Sequence, residues 1–395
     1  MAECSVKKLF EPASVAIIGA SENPGKIGYN VLRNLVESGY KGKIYPINPK
    51  GGSAFGINMY KSIEEVPGEV DLVTITIPAK LVLGAVKQCA QKKVKFLSII
   101  TSGFSEVGNT AEEKEMVEIA RASGMRILGP NIFGIYSANA SMNATFASGV
   151  IDPGGVAILT QSGALGIAMI GKTKVENIGL SAMVSIGNKC DIDESDLLEY
   201  LIDDPKTKAI MMYMEGVKGG QKLIKTLKKV TKVKPVVVIK SGRSKRGAAA
   251  AASHTGSLAG ADNIFDAVMK QCNVHRAYSI GEALDWCKFL AEAPQVKGEN
   301  AVIITNGGGI GVLAADACEQ YGIKLDVDLA KLKDAFATVT PSFGSLKNPI
   351  DITGGAGMAD YEKCIRTAFE RKDIHSIIIL GCETAVLDGN AMQGA

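Results

Sequence analysis

A chain of 395 residues with 46% hydrophobic but only 6% aromatic side chains is too long for one core, and two or three domains are expected. Its net charge of +3 is small and dispersed, which argues against a nucleic-acid or membrane-binding surface, and no apolar run is long enough to cross a bilayer. The eight cysteines form no C-x-x-C pair and the three histidines have no metal-ligand spacing. No metal site is therefore expected, and the thiols read as reduced core residues of a cytoplasmic protein, Met1 to Phe10 being charged and polar rather than signal-like.

The first segment alternates buried strands with amphipathic helices. Strands are expected at Val15–Ile18, Lys43–Ile47, Asp71–Ile77, Phe96–Thr101 and Arg126–Leu128. A helix is expected from the Gly19–Gly28 turn through Val36, with others at Lys80–Gln91 and Ala111–Ser123. Strand–helix alternation with short loops means a parallel, doubly wound sheet. Asp152-Pro153-Gly154-Gly155 marks a boundary, after which strands recur at Val156–Thr160, Ala209–Met214 and Pro235–Lys240. Composition turns linker-like again around Ala293–Gly298, and a third cycle opens at Ala301–Thr305 and includes Ser376–Leu380. The domains are thus read as 1–150, 151–295 and 296–395, the last shorter than a complete flavodoxin-like domain.

The second and third cycles begin alike. Strand, small-residue turn and helix start follow one another in Thr160-Gln161-Ser162-Gly163 and again in Thr305-Asn306-Gly307-Gly308-Gly309. Two such helix N-termini suit a dianion, each contributing about 0.3–2 kcal/mol of dipole attraction. Earlier, the turn from Gly19 to Gly28 brings Ser21, Gly25, Lys26, Ile27 and Gly28 to a helix start, where glycines let backbone approach a phosphate. A dehydrogenase would want an acid after the second strand to hold ribose hydroxyls; Asn48-Pro49-Lys50 stands there instead and suits an extra phosphate. Pro78, Thr101 and Asn131 close further strands on the same carboxyl edge, as a crevice for an extended ligand requires.

Two residues carry reactive chemistry. His254 lies in Ala252-Ser253-His254-Thr255-Gly256-Ser257, among side chains too small to hinder an imidazole, which near neutral pH is both nucleophile and base. Glu215 directly follows the apolar run Ala209–Met214, where a carboxylate could hold the second imidazole nitrogen.

The ordered set Ile18-Gly19-Ala20-Ser21, Pro24-Gly25-Lys26-Ile27-Gly28, Gly129-Pro130-Asn131, Gln161-Ser162-Gly163, Glu215-Gly216 and Ser253-His254-Thr255-Gly256-Ser257 resembles the α part of the nucleoside-diphosphate-forming acyl-CoA synthetases, relatives of succinyl-CoA synthetase. Asn306–Gly309 and Asn348-Pro349-Ile350-Asp351-Ile352-Thr353-Gly354 resemble the third domain of the ADP-forming acetyl-CoA synthetase branch. The resemblance implies an α/β chain with a Rossmann-like CoA-binding domain followed by two flavodoxin-like CoA-ligase domains. It implies an acid–thiol ligase that interconverts acid, CoA and ATP with acyl-CoA, ADP and phosphate. His254 would carry the phosphoryl group and Glu215 orient it, while Ser162, Gly163, Gly308 and Gly309 bind the phosphate. Ser21, Gly25, Lys26, Ile27, Gly28, Asn48, Lys50, Pro78, Thr101 and Asn131 would hold coenzyme A. With no ATP-grasp segment in the chain, ATP or ADP and Mg2+ are expected on a separate β subunit or a fused carboxyl-terminal half, in a hetero- or homo-oligomer. Family members often carry Cys after Gly-Pro-Asn; Ile132 stands here, and no thiol role is carried over.

Two other classes compete. An NAD(P)-dependent oxidoreductase is disfavoured by Asn48-Pro49-Lys50 and leaves His254 without a purpose, and a non-catalytic CoA sensor has no need of a phosphorylatable histidine.

Overall fold

In the computed structural model, which describes residues 6–249, 261–294 and 296–387, the first apolar runs form β1 (Ser14–Ile18), β2 (Lys43–Ile47), β5 (Leu72–Ile75), β6 (Phe96–Ile99) and β7 (Arg126–Leu128). A short hairpin, β3 (Ser53–Ala54) with β4 (Ile57–Asn58), follows β2. The strands pair in parallel in the order β2-β1-β5-β6-β7. Every residue of β1, β5 and β6 is buried, which is why these strands read as mainly apolar runs rather than alternating ones. Helix Ile27–Glu37 turns Val31, Leu32 and Leu35 inward at helical spacing; full burial of each is worth about 1.5–3 kcal/mol.

The second sheet contains β8 (Gly134–Ser137), β9 (Met142–Thr145), β10 (Pro153–Thr160), β11 (Leu180–Ser185), β12 (Ala209–Met214), β13 (Val236–Lys240) and β14 (His275–Ala277). Its order is β14-β13-β12-β10-β11-β8-β9, parallel from β14 to β11. The β8–β9 hairpin adds antiparallel to β11, so residues 134–145, within the segment expected to end at 150, pair with the second sheet. Neither the hairpin nor β11 is among the strands expected from the sequence. Met142-Asn143-Ala144-Thr145 alternates apolar and polar residues over only four positions, and all four are buried, beside β8 and against helix Ile27–Glu37.

The loop 186–192 joins the two sheets. Asn188 N, Cys190 N and Ile192 N donate to the carbonyls of Pro130, Gly129 and Ile127 at 3.0 Å each. Asp191, only 1% exposed, accepts from Arg126 Nε at 2.8 Å, Arg121 Nη2 at 3.0 Å and the Ile127 backbone at 2.9 Å. Both sheets belong to one compact unit, Met1–Ala293.

The other unit, Pro294–Ala395, is built on β15 (Asn300–Thr305). Parallel to it run β16 (Lys324–Leu325), β17 (Ile350–Asp351) and β18 (Ser376–Leu380), each paired directly with β15. Val302, Ile304, Phe336, Ile350 and Tyr361 form its core.

The repeat read from the sequence is present bond for bond. Ser162 N donates to Thr160 Oγ1 at 3.1 Å, and Thr160 Oγ1 donates to the Ser162 carbonyl at 3.0 Å. Gly307 N and Thr305 Oγ1 make the same pair at 3.0 and 3.2 Å. A Cβ on Gly166 would lie 2.9 Å from the Thr160 methyl, and one on Gly311 3.1 Å from the Thr305 methyl. Each helix thus needs glycine where it crosses its own strand.

Candidate active site

In both sheets of the first unit the chain runs to opposite sides of a central strand, and ligands of open α/β sheets bind at the carboxyl ends of such strands. In the first sheet this point lies between β1 and β5, and in the second between β10 and β12. A cavity of about 1000 Å3 opens there, lined among others by Lys26, Ile27, Thr76, Pro78, Thr101, Asn131, Ile132, Phe133, Phe146, Gln161, Ser162, Gly163 and Asn188.

Three helix starts border it. Lys26 and Pro78 are the N-caps of helices Ile27–Glu37 and Ala79–Gln91, and neither offers a side-chain cap, so the first-turn amides remain available to a ligand. Ser162 caps helix Gly163–Val175 through Leu165 N at 3.4 Å, and a Cβ on Gly163 would meet nothing within 4 Å. That helix end is open backbone, as close approach of an anion demands. The rest of the lining is largely apolar, with Ile132 and Phe133 buried and Phe146 half-buried, which suits an extended ligand with charged and apolar parts.

Of the predicted ligand contacts in this unit, Lys26, Ile27, Pro78, Thr101, Asn131, Ser162 and Gly163 come together on this cavity. Ser21, Gly25, Gly28, Asn48 and Lys50 are not among its lining residues. They shape the turn that precedes the first helix. Ser21 Oγ accepts from Asn23 N at 3.1 Å, Gly25 N donates to Asn23 Oδ1 at 2.8 Å, and Lys50 N donates to Asn48 Oδ1 at 3.0 Å. Asn48 Nδ2 donates to the Ala20 carbonyl at 2.8 Å and so ties the post-β2 loop to the turn. Gly28 is buried, and a Cβ there would stand 1.9 Å from the Gly19 carbonyl oxygen. Gly28→Ala must push the helix start out of place, at about 1–3 kcal/mol of overpacking. The expected result is at least about tenfold weaker CoA binding in calorimetry.

Glu106, Phe133, Phe146, Gly187 and Asn188 also line the cavity and carried no recognisable signal. Gly187 and Asn188 follow β11, the strand that sequence pattern did not disclose. A Cβ on Gly187 (φ +55°) would fall 2.3 and 2.4 Å from the Pro130 and Asn131 carbonyl oxygens, so the close approach of the two loops requires glycine. Asn188 Nδ2 donates to Glu106 at 2.5 Å and Glu113 at 2.9 Å, while its Oδ1 accepts from Asn131 Nδ2 at 3.3 Å. Burial works against ionisation of Glu106, but the Gly103 backbone N–H and the Asn188 amide outweigh it and hold the carboxyl below its usual pKa.

Glu215 directly follows β12 and is buried. Its neighbour Tyr213 has its hydroxyl pKa raised by burial and by the Glu215 carboxylate, to which it hydrogen-bonds, against a lowering bond to Ser241. Lys240 Nζ donates to the Glu215 carbonyl at 3.0 Å, and Ser241 N to the Met214 carbonyl at 2.9 Å. The chain therefore leaves β13 beside Glu215, and residues 245–249 are helical. His254 itself lies outside the described residues. Gly308 and Gly309 begin helix Gly308–Gln320 of the other unit, with no side-chain cap from Gly307, so its first-turn amides are open as well.

Three family models divide the chain: a CoA binding domain over residues 13–138, a succinyl-CoA ligase like flavodoxin domain over 153–290, and a ligase-CoA domain over 301–392. Together with open helix starts at a switch-point cavity they define the class, an acid–thiol ligase acting on coenzyme A. Acetate–CoA ligase [ADP-forming] I subunit alpha of Pyrococcus furiosus is 54% identical over 390 residues, 97% of this chain and 84% of that one. Acetate–CoA ligase [ADP-forming] of Methanocaldococcus jannaschii is 45% identical over 351 residues, 89% of this chain but 49% of that longer one. The solved dinucleotide forming acetyl-coenzyme A synthetase 1 of Ca. Korarchaeum cryptofilum, in complex with phosphate and ADP, superposes with a TM-score of 0.94 at 44% identity, covering 97% of this chain and 83% of that one. The chain belongs to the ADP-forming acetate–CoA ligase family of acyl-CoA synthetases.

Proposed function

We propose that this chain binds coenzyme A in the switch-point cavity and relays a phosphoryl group through His254 between an acyl phosphate and ADP. The observation that carries the reading is the open helix start at Ser162 and Gly163, which shares the cavity with Lys26 and Pro78 and adjoins the strand end of Glu215. Phosphate held at those amides attacks the thioester carbonyl carbon; the C–S bond breaks and CoA leaves as the thiol, taking the phosphate's proton. A nitrogen of His254 then attacks phosphorus and the P–O bond to the acyl group breaks, releasing the carboxylate. The second nitrogen gives its hydrogen bond to Glu215, which fixes the tautomer and stabilises the cation that forms. Keeping the phosphoryl group on a side chain protects an intermediate that water would destroy.

Coenzyme A is cosubstrate in this scheme, with Lys26, Ile27, Pro78, Thr101 and Asn131 along its path and Ser21, Gly25, Gly28, Asn48 and Lys50 shaping the turn that receives it. Gly308 and Gly309 serve as a phosphate-binding helix start in their own unit. Among the described residues no group of three or more His, Cys, Asp or Glu side chains could hold a metal ion. We assign Mg2+ and nucleotide to an ATP-grasp subunit or fused half. That the Pyrococcus furiosus relative is a subunit alpha, and that the Methanocaldococcus jannaschii relative is about twice as long as the matched region, support that division. Among the described residues no helix is long and apolar enough to cross a membrane, and a cytoplasmic location is proposed for the enzyme. Short acids, acetate first, are the proposed substrates, on the names of the relatives.

The test mixes the full chain with the ATP-grasp chain, acetyl-CoA, phosphate, ADP and Mg2+. ATP should form in step with free thiol. Thiol release without ATP, or nicotinamide-dependent absorbance changes in its place, would overturn the assignment.

A further inference from the structure

Resting on the proposed role of Glu215, we infer that Gln161 is its positioning residue, and that the buried Lys189–Glu194 ion pair exists to hold the Gln161 amide in one orientation. Gln161 stands one residue beyond β10 and Glu215 one beyond β12, on adjacent strands paired through Thr160 and Tyr213. Gln161 Oε1 accepts from Glu215 N at 2.6 Å and Gly216 N at 3.0 Å. Its Nε2 donates to Glu194 Oε1 at 2.6 Å and to the Gly216 carbonyl at 2.8 Å. Both lone pairs and both protons are used, so the amide has one orientation: turned over, it would set NH2 against two N–H donors.

The pair behind it is costly, and that cost calls for a purpose. Lys189 Nζ lies 2.8 Å from Glu194 Oε1 with both side chains 5% exposed, and it donates to the Gly216 carbonyl at 2.7 Å. Lys189 also holds a left-handed backbone, φ +51°. A buried ion pair is seldom a net source of stability, and a strained backbone never is; both persist where they define a geometry. Here the ammonium and the amide converge on the Gly216 carbonyl and the Glu194 carboxylate, so the Glu215–Gly216 segment is gripped from both sides.

The counterpart in the other unit separates the fold's requirement from this addition. Asn306 follows β15 as Gln161 follows β10, and its side chain makes a two-bond clamp on Cys382, from Cys382 N at 2.7 Å and to its carbonyl at 2.9 Å. The extra methylene of Gln161 extends its amide to further partners, Gly216 N and Glu194 Oε1, and the residue so clamped is Glu215.

The experiment follows labelling of His254 from acetyl-CoA and radioactive phosphate in the complete two-chain enzyme, with CoA affinity measured alongside. Gln161→Ala should label at least about tenfold more slowly, a loss clearly larger than any loss of CoA affinity. Gln161→Glu keeps the acceptor side and loses both donors. It should label slowly at about pH 8 and recover relative to wild type towards about pH 6, where a protonated carboxyl regains one donor. A wild-type labelling rate in Gln161→Ala, an unchanged pH profile in Gln161→Glu, or proportional loss of labelling and CoA affinity in both would each overturn the inference. Should Gln161→Ala not fold, the profile of Gln161→Glu decides. Glu215→Gln, run in parallel, separates the two levels. Full labelling there removes the role of Glu215 and this inference with it, whereas loss of labelling there with wild-type rates in the Gln161 variants removes the inference alone.

Discussion

Replacing His254 by alanine is expected to lower ATP formation from acetyl-CoA, phosphate and ADP by at least about 10^4-fold, because removing a covalent nucleophile leaves no alternative carrier for the phosphoryl group. The loss should fall on kcat. The cavity proposed to receive CoA is built from Lys26, Pro78, Thr101, Asn131 and Ser162, all placed independently of residue 254, so calorimetric CoA affinity should stay within about twofold of wild type. Nothing bulky neighbours the imidazole along the chain in Ala250-Ala251-Ala252-Ser253-His254-Thr255-Gly256, and alanine there is expected to cost the core nothing. Steady-state kinetics with both chains present, paired with CoA titration, measures both quantities. Equal loss of CoA affinity and turnover would mean that the substitution damaged the fold rather than the relay.

The largest effect on stability is expected at Asp191. Asp191→Ala should destabilise the first unit by about 3–5 kcal/mol, read from denaturant unfolding followed in that unit. Its carboxylate, 1% exposed, meets Arg126 Nε at 2.8 Å, with the Arg126 side chain 19% exposed, and accepts the Ile127 backbone N–H at 2.9 Å. Removing it leaves a largely buried guanidinium with only the longer contact to Asp196, 3.3 Å from Arg126 Nη2, and an amide without its acceptor, together at the seam between β7 and the 186–192 loop. Burial alone would lower the Arg126 pKa, but Asp191 and Asp196 raise it; without Asp191 the cation is left to Asp196 alone, with its Nε unpaired. Arg121 adds little, since its side chain is 63% exposed and its ion pair is screened. Asp191→Asn keeps an acceptor for Ile127 N while losing the charge, and should fall between wild type and alanine. Because the same loop carries Gly187 and Asn188 to the cavity, CoA binding should weaken in both variants. A loss below about 1 kcal/mol in Asp191→Ala would show that the backbone bonds of the loop hold the seam without it.

Legibility followed physical cause. Strands buried on both faces, such as Ser14–Ile18 and Val236–Lys240, announced themselves as apolar runs, and the repeated turn did so through Thr160 and Thr305 with the glycines after them. Strand ends then named part of the cavity, because in a parallel sheet the carboxyl edge follows from chain order alone. The β8–β9 hairpin stayed hidden, since the alternation of Met142–Thr145 spans only four residues and its polar members, Asn143 and Thr145, are buried by what packs on them. Asn188 and Gly187 were missed with β11, the strand before them. Ser21, Gly25, Gly28, Asn48 and Lys50 were singled out for glycine content, charge and position. Their hydrogen bonds and close packing also shape the turn, a role that sequence spacing alone does not show. Gln161 was visible only as part of a motif; its four bonds to Glu215, Gly216 and Glu194 depend on a fold that brings β10 and β12 side by side.

The central claim is that the phosphoryl group rests on His254. Peptide mapping of the wild-type enzyme after incubation with acetyl-CoA and radioactive phosphate tests it most directly. The predicted result is a single labelled peptide containing His254, with a label lost in acid, retained in base and discharged by ADP. Label that stays on acyl phosphate alone, or a labelled peptide lacking residue 254, would contradict it.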